Sequence, residues 1–148
     1  MLPNMVVLNP CDYNQTVAAT IAAAEYDGPV YIRFGRPKVP VFIAEDMPFE
    51  IGKALVLNEG SDVSLIATGH LVWEALEAAK QLEAEGISAE VIDIHTIKPL
   101  DNEAILRSVA KTGCVVLEGI FSKEGAKLCP IRRLINTRMR VYICPYFP

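Results

Sequence analysis

Residues 91–101, VIDIHTIKPLD, constrain the fold of this chain more than any other stretch. Val91, Ile92 and Ile94 are β-branched and apolar, as a strand covered on both faces requires. Pro99 disfavours helical geometry at Lys98 and so ends the strand in a turn. Asp101 is then placed to cap a helix with Ala104, Ile105, Val109 and Ala110 on its inner face.

The same grammar recurs upstream. Residues 62–68 (DVSLIAT) read as a buried strand, Gly69 as a turn and residues 70–85 as a helix. Leu71, Ala75, Leu76, Ala79 and Leu82 share one side of that helix, while Glu74, Glu77, Gln81 and Glu85 lie on the other. Gly86 stops it. A strand over 89–94, a helix over 101–111 and a strand over 114–117 follow, with 53–57 as an edge strand. Alternation of this kind specifies an α/β fold with a doubly wound, mostly parallel sheet.

Before it stands a separate strand–helix–strand unit: a strand over 5–8, an alanine-rich helix over 13–25 and a strand over 30–34 (VYIRF). Asp12 precedes Gln15 by three, a capping-box spacing. Two such strands in one sheet imply a parallel crossover. Pro37, Pro40 and Pro48, with Glu45 and Asp46, make residues 37–52 an extended linker. The expected division is 1–36, a linker over 37–52, a second domain over 53–118 and a tail over 119–148.

Composition narrows the function classes. Hydrophobic residues make up 51% and mean hydropathy is +0.27, ample for a core. No apolar run approaches the ~20 residues of a membrane span. The first residues have neither a basic segment nor a long apolar one, so no signal peptide is read and a cytoplasmic location is expected. Cys11, Cys114, Cys129 and Cys144 form no CxxC pair and the two histidines are far apart, which argues against a metal site. Trp73 and Tyr31 make no stacking platform for nucleic acid. No P-loop, GxSxG or GxGxxG is present. Charge is unevenly spread, with residues 1–118 carrying −9 and residues 119–148 carrying +5.

Two stretches together point to a family. Residues 2–42, LPNMVVLNPCDYNQTVAATIAAAEYDGPVYIRFGRPKVPVF, resemble the end of the pyrimidine-binding domain of transketolases. Residues 62–101, DVSLIATGHLVWEALEAAKQLEAEGISAEVIDIHTIKPLD, resemble the transketolase C-terminal domain. The likeness covers roughly residues 2–117 and is most like the C-terminal subunit of split transketolases. It implies two-carbon ketol transfer between sugar phosphates in the pentose phosphate pathway, with thiamine diphosphate and a divalent metal in the assembled enzyme. It also implies an N-terminal, diphosphate-binding partner and homo-oligomer contacts, a dimer, through the C-terminal domain.

Arg36, in FGRPKVP, falls where the family carries an arginine that binds the substrate phosphate. A planar guanidinium suits that task because it grips phosphate with two parallel hydrogen bonds. The alternative is a surface ion pair, and Arg33 is expected to point at an acidic neighbour. His70, after a strand-end glycine, is expected to cap or meet solvent rather than bind an anion. His95 is read as structural, and Asp12 with Asn14 as capping. The resemblance places the cofactor-activating glutamate upstream and provides no diphosphate-binding motif here, so no catalytic, cofactor or metal residue is assigned. The chain alone is expected to be inactive, with no cofactor, nucleic acid or membrane bound.

After TGCVV the text departs from the family pattern, reading LEGIFSKEGAKLCPIRRLINTRMRVYICPYFP. An abrupt change of this kind suggests a shifted reading frame or a gene fragment, a divergent tail being the alternative. Pro130 interrupts the one plausible helix, over 122–138, so residues 119–148 are expected to pack poorly, with 141–144 as a stray strand. Two rival functions stand beside the first. One is a non-catalytic interaction or dimerisation module. The other is a fragment of a deoxyxylulose-phosphate synthase or keto-acid dehydrogenase β subunit, which GPVYIRFGRP fits less well.

Overall fold

A computed structural model describes residues 3–36, 38–119 and 140–145. Chain order is β1 (Val6–Leu8), α1 (Tyr13–Glu25), β2 (Val30–Ile32), β3 (Leu55–Asn58), β4 (Val63–Ala67), α2 (Leu71–Ala84), β5 (Ala89–Asp93), β6 (Thr96–Lys98), α3 (Asn102–Thr112), β7 (Cys114–Gly119) and β8 (Arg140–Pro145). These strands form two sheets, one ordered β2-β1-β6 and the other β3-β5-β4-β7-β8.

The larger sheet is the doubly wound one. β5, β4, β7 and β8 run parallel, and β3 closes one edge antiparallel to β5. Strand residues alternate between two cores. Leu65, Ala67, Ala89 and Val91 pack under Val72, Ala75 and Ala79 of α2. Ile66, Ile92, Val115 and Leu117 pack under Ile105 and Val109 of α3. That two-sided covering explains why the strands read as continuous apolar runs.

In the smaller sheet β1 and β2 are parallel, joined by the α1 crossover, and α1 packs Ala19 over Val6 and Leu8. The third strand was not foreseen. Residues 96–98, expected as part of a turn, instead form β6 and pair antiparallel with β1, Leu8 opposite Thr96 and Val7 opposite Lys98. Pro99 still ends this stretch, and α3 begins at Asn102 with Asp101 capping Ala104 N–H at 3.0 Å.

β8 corrects another expectation. Residues 140–145 are not a stray strand: they pair with β7 in parallel register from Cys114 opposite Arg140 to Gly119 opposite Pro145. The helix expected over 122–138 lies outside the described residues. Among the described residues no helix is long and apolar enough to cross a membrane.

Candidate functional site

The carboxyl ends of β1, β2 and β4 meet at one place, where open parallel sheets characteristically form ligand crevices. A cleft of about 380 Å³ opens there. The turn after β1 lends Cys11, Asp12 and Tyr13, the exit from β2 lends Phe34, Gly35 and Lys38, and the turn after β4 lends His70.

Short polar links hold these ends together. Asn9 donates its backbone N–H to the His95 carbonyl at 2.8 Å and its side-chain amide to Thr68 Oγ1 at 3.1 Å. The Thr68 hydroxyl donates to the Ile94 carbonyl at 2.8 Å. Gly69 is required beside them. Its φ is +61°, and a Cβ there would stand 2.7 Å from Asn9 Nδ2.

Asp12 does more than cap. Its Oδ1 accepts Gln15 N–H at 2.9 Å, and its Oδ2 accepts Phe42 and Ile43 N–H at 2.9 and 2.8 Å. Asn14 donates to the Ile43 carbonyl at 2.8 Å. The segment after residue 36 is thereby pinned to the start of α1. Both Asp12 oxygens are committed, and Tyr13, Lys38 and His70 also line the cleft.

Arg36 is exposed, in a bend directly after Gly35. It makes no ion pair among the described residues, and neither does Arg33, contrary to the acidic neighbour expected for it. His70 begins α2 without a side-chain capping bond, since its backbone is already helical (φ −60°, ψ −20°) and its ring faces the cleft. A Cβ at Gly35 would lie 3.0 Å from His70 Nδ1, so glycine admits the ring to that position. His95 is buried and stacked on Phe49 at 4.2 Å between ring centres. Burial pushes its pKa down to about 4, which keeps the imidazole neutral.

One group escaped the sequence reading: Asp93, wholly buried at the end of β5. Gln15 donates to its Oδ2 at 2.5 Å, while Oδ1 has no hydrogen-bond partner among the described residues. Burial pushes its pKa up to about 7, Gln15 and Cys11 opposing and the Asp12 charge adding to the rise. The same enclosure, with the charges of Asp93 and Asp12, pushes the Cys11 thiol up. A lone acid inside VIDI was the available signal.

The family model for the transketolase C-terminal domain matches residues 52–129. The chain belongs to that family. It is 49% identical over 115 residues to a 6-deoxy-6-sulfo-D-fructose transketolase subunit, SqwH, of Clostridium sp. (strain MSTE9), covering 78% of this chain and 36% of that protein. It is 46% identical over 109 residues to a putative transketolase C-terminal section of Methanocaldococcus jannaschii, covering 72% of this chain and 34% of that protein. A solved split-gene transketolase, an inactive beta4 tetramer, superposes with a TM-score of 0.90 at 41% identity, covering 100% of this chain and 50% of that one. The chain thus spans about a third of the length of the curated relatives it matches.

Transketolase kinship implies thiamine diphosphate dependence in the assembled enzyme. Among the described residues no group of three or more His, Cys, Asp or Glu side chains converges to hold a metal. The carboxylates of Asp12 and Asp101 already hold backbone N–H groups, and Asp93 is enclosed. The described residues do not fit a metal–diphosphate site.

Proposed function

We propose that this chain serves as the C-terminal part of a transketolase, and that the assembled enzyme transfers two-carbon ketol units between sugar phosphates. Thiamine diphosphate and its divalent metal belong, in this reading, to the assembled enzyme, with the diphosphate held by an N-terminal partner. Residues 1–36 act as the end of a pyrimidine-binding domain, 37–52 as a linker and 53–118 as the C-terminal domain, with 119–148 as a tail. Homo-oligomer contacts, a cytoplasmic location and a place in pentose phosphate metabolism complete the reading.

The observation that carries it is the cleft at the ends of β1, β2 and β4, with Lys38 and His70 on its wall and Arg36 beside Gly35. An anionic sugar terminus is the chemistry such donors suit. The relatives support the division of labour, one being named a transketolase subunit and another a transketolase C-terminal section.

The test is a graft of residues 2–117 in place of the matching part of the Clostridium subunit, assayed with its N-terminal partner. Ketol transfer dependent on thiamine diphosphate is expected, and Arg36→Ala raises KM for phosphorylated sugars roughly 10–100-fold, the worth of a charge-assisted contact. A graft that assembles without turnover favours the non-catalytic interaction module. An unchanged KM removes Arg36 from the substrate site.

A further inference from the structure

Among the described residues Asp93 is the one acid with no exposure, at the end of β5. It lies on the face of β5 shared by Ala89 and Val91, beneath α2, whose buried residues Leu71, Val72, Ala75 and Ala79 are all apolar. Leu55 of β3 and Ala67 of β4 flank it across the sheet. From the smaller unit come Gln15 of α1, neutral, and the Cys11 thiol and Asp12 carboxylate of the turn before it. No cation offsets a charge at this position among the groups that bear on it.

An ionised carboxylate in such a place is costly to desolvate, and its Oδ1 has no hydrogen-bond partner among the described residues. The neutral acid avoids that cost while its other oxygen still accepts from Gln15. Gln15 is itself a junction: its side-chain oxygen takes the Cys11 N–H at 2.8 Å and its own N–H is capped by Asp12. Cys11 and Asp12 in turn line the cleft.

We propose that Asp93 is a proton-dependent positioning residue: enclosed as the neutral acid it latches Gln15, and through it the Cys11–Asp12 wall of the cleft, onto the five-stranded sheet, and ionisation loosens that wall because enclosing the charge costs more than the stronger Gln15 bond returns. The contact stands on the geometry, and the enclosure without a cation gives the direction of its proton dependence. Its consequence for substrate rests on the transketolase reading given above.

The sign follows from linkage. The carboxyl titrates at about 7 when enclosed and near 3.8 when released, so the closed state holds an extra proton between those values. Closure is therefore fully favoured below about pH 4, weakens as pH rises toward 7 and changes no further above it.

Hydrogen exchange of the full chain tests this, comparing amides of residues 13–25 in wild type and Asp93→Asn. Asparagine keeps an acceptor for Gln15 and carries no charge. The ratio of protection factors, variant over wild type, is expected to grow roughly tenfold per pH unit between about pH 4 and 7, then level off. A ratio independent of pH overturns the latch. Should the variant fail to fold, the carboxyl carbon resonance of Asp93 in the wild-type chain decides the matter. A midpoint near 7 supports the proposal, and one near 3.8 overturns it. Neither readout uses enzyme turnover, so an inactive graft with a rising ratio refutes the functional reading and leaves the latch standing.

Discussion

The carboxylate of Asp12 accepts the backbone N–H of Ile43 at 2.8 Å, across thirty-one positions of chain, while its other oxygen caps α1. Asp101 repeats the arrangement, one oxygen capping α3 at Ala104 and the other accepting Ala54 N–H at 3.0 Å. Partial burial works to raise the Asp101 pKa, yet the Ala104 and Ala54 N–H groups, with Lys53 and Arg107 nearby, hold it below the usual carboxylate range. In both places a helix cap also anchors a segment without regular secondary structure.

Asp12→Ala should therefore cost more than a cap. Losing the cap costs about 1 kcal/mol, and stranding the Phe42 and Ile43 N–H groups adds one to three more. Urea denaturation is expected to report a loss of roughly 2–4 kcal/mol, with faster tryptic cleavage after Lys38. A loss under 1 kcal/mol would mean that residues 42–43 are not held through this carboxylate.

Gly69→Ala tests the junction of β4 with β1. Left-handed backbone costs an L-residue about 1–2 kcal/mol, and the new Cβ would press on Asn9. A total near 2–4 kcal/mol is expected. In an Asn9→Ala background the steric part disappears, so the two changes should be non-additive. Strict additivity in the double-mutant cycle would sink this account.

On the α3 side of the sheet exposed Lys111 pairs with buried Glu90, which also takes the Ser108 hydroxyl, and reaches exposed Glu59 at 2.8 Å. Lys111→Ala leaves Glu90 enclosed without its cation and should lower the urea midpoint measurably. Glu59→Ala, at the surface, should leave the midpoint nearly unchanged. Adding Glu90→Gln to Lys111→Ala should recover part of the loss. Equal effects of the two single changes would contradict the assignment.

His95 and Asp93 push the pH dependence in opposite directions. With its pKa depressed to about 4, folded His95 refuses a proton that the unfolded chain takes up below about 6.5, so stability is lost as pH falls from 6.5 toward 4. Asp93, raised to about 7, loses stability as pH rises from about 4 to 7. The two nearly cancel in wild type. His95→Phe keeps the stacking on Phe49 and unmasks Asp93, so its stability relative to wild type should be roughly 2 kcal/mol better at pH 4.5 than at pH 7. Parallel profiles for the two proteins would rule this out.

Much of the architecture was legible in the chain. The strands near 63–67, 89–94 and 114–117 and the helices near 70–85 and 101–111 follow from apolar periodicity, because a two-sided core selects continuous β-branched runs and amphipathic helices wherever they occur. Period does not carry pairing. Residues 96–98 are too short a run before Pro99 to read as a strand, and pairing with the edge of β1 makes them β6. Likewise residues 140–145 become an edge strand because β7 offers them a ladder.

The site divides in the same way. Capping by Asp12 and Asp101 was readable, since a cap acts over three residues of sequence. Their second oxygens, the Gln15–Asp93 contact and the approach of His70 to Gly35 span from 31 to 78 positions or join separate turns. Local chemistry is written in neighbouring residues. Which distant donor meets which buried acceptor, and hence where an acid loses its charge, is decided only when packing removes the water that would otherwise satisfy both.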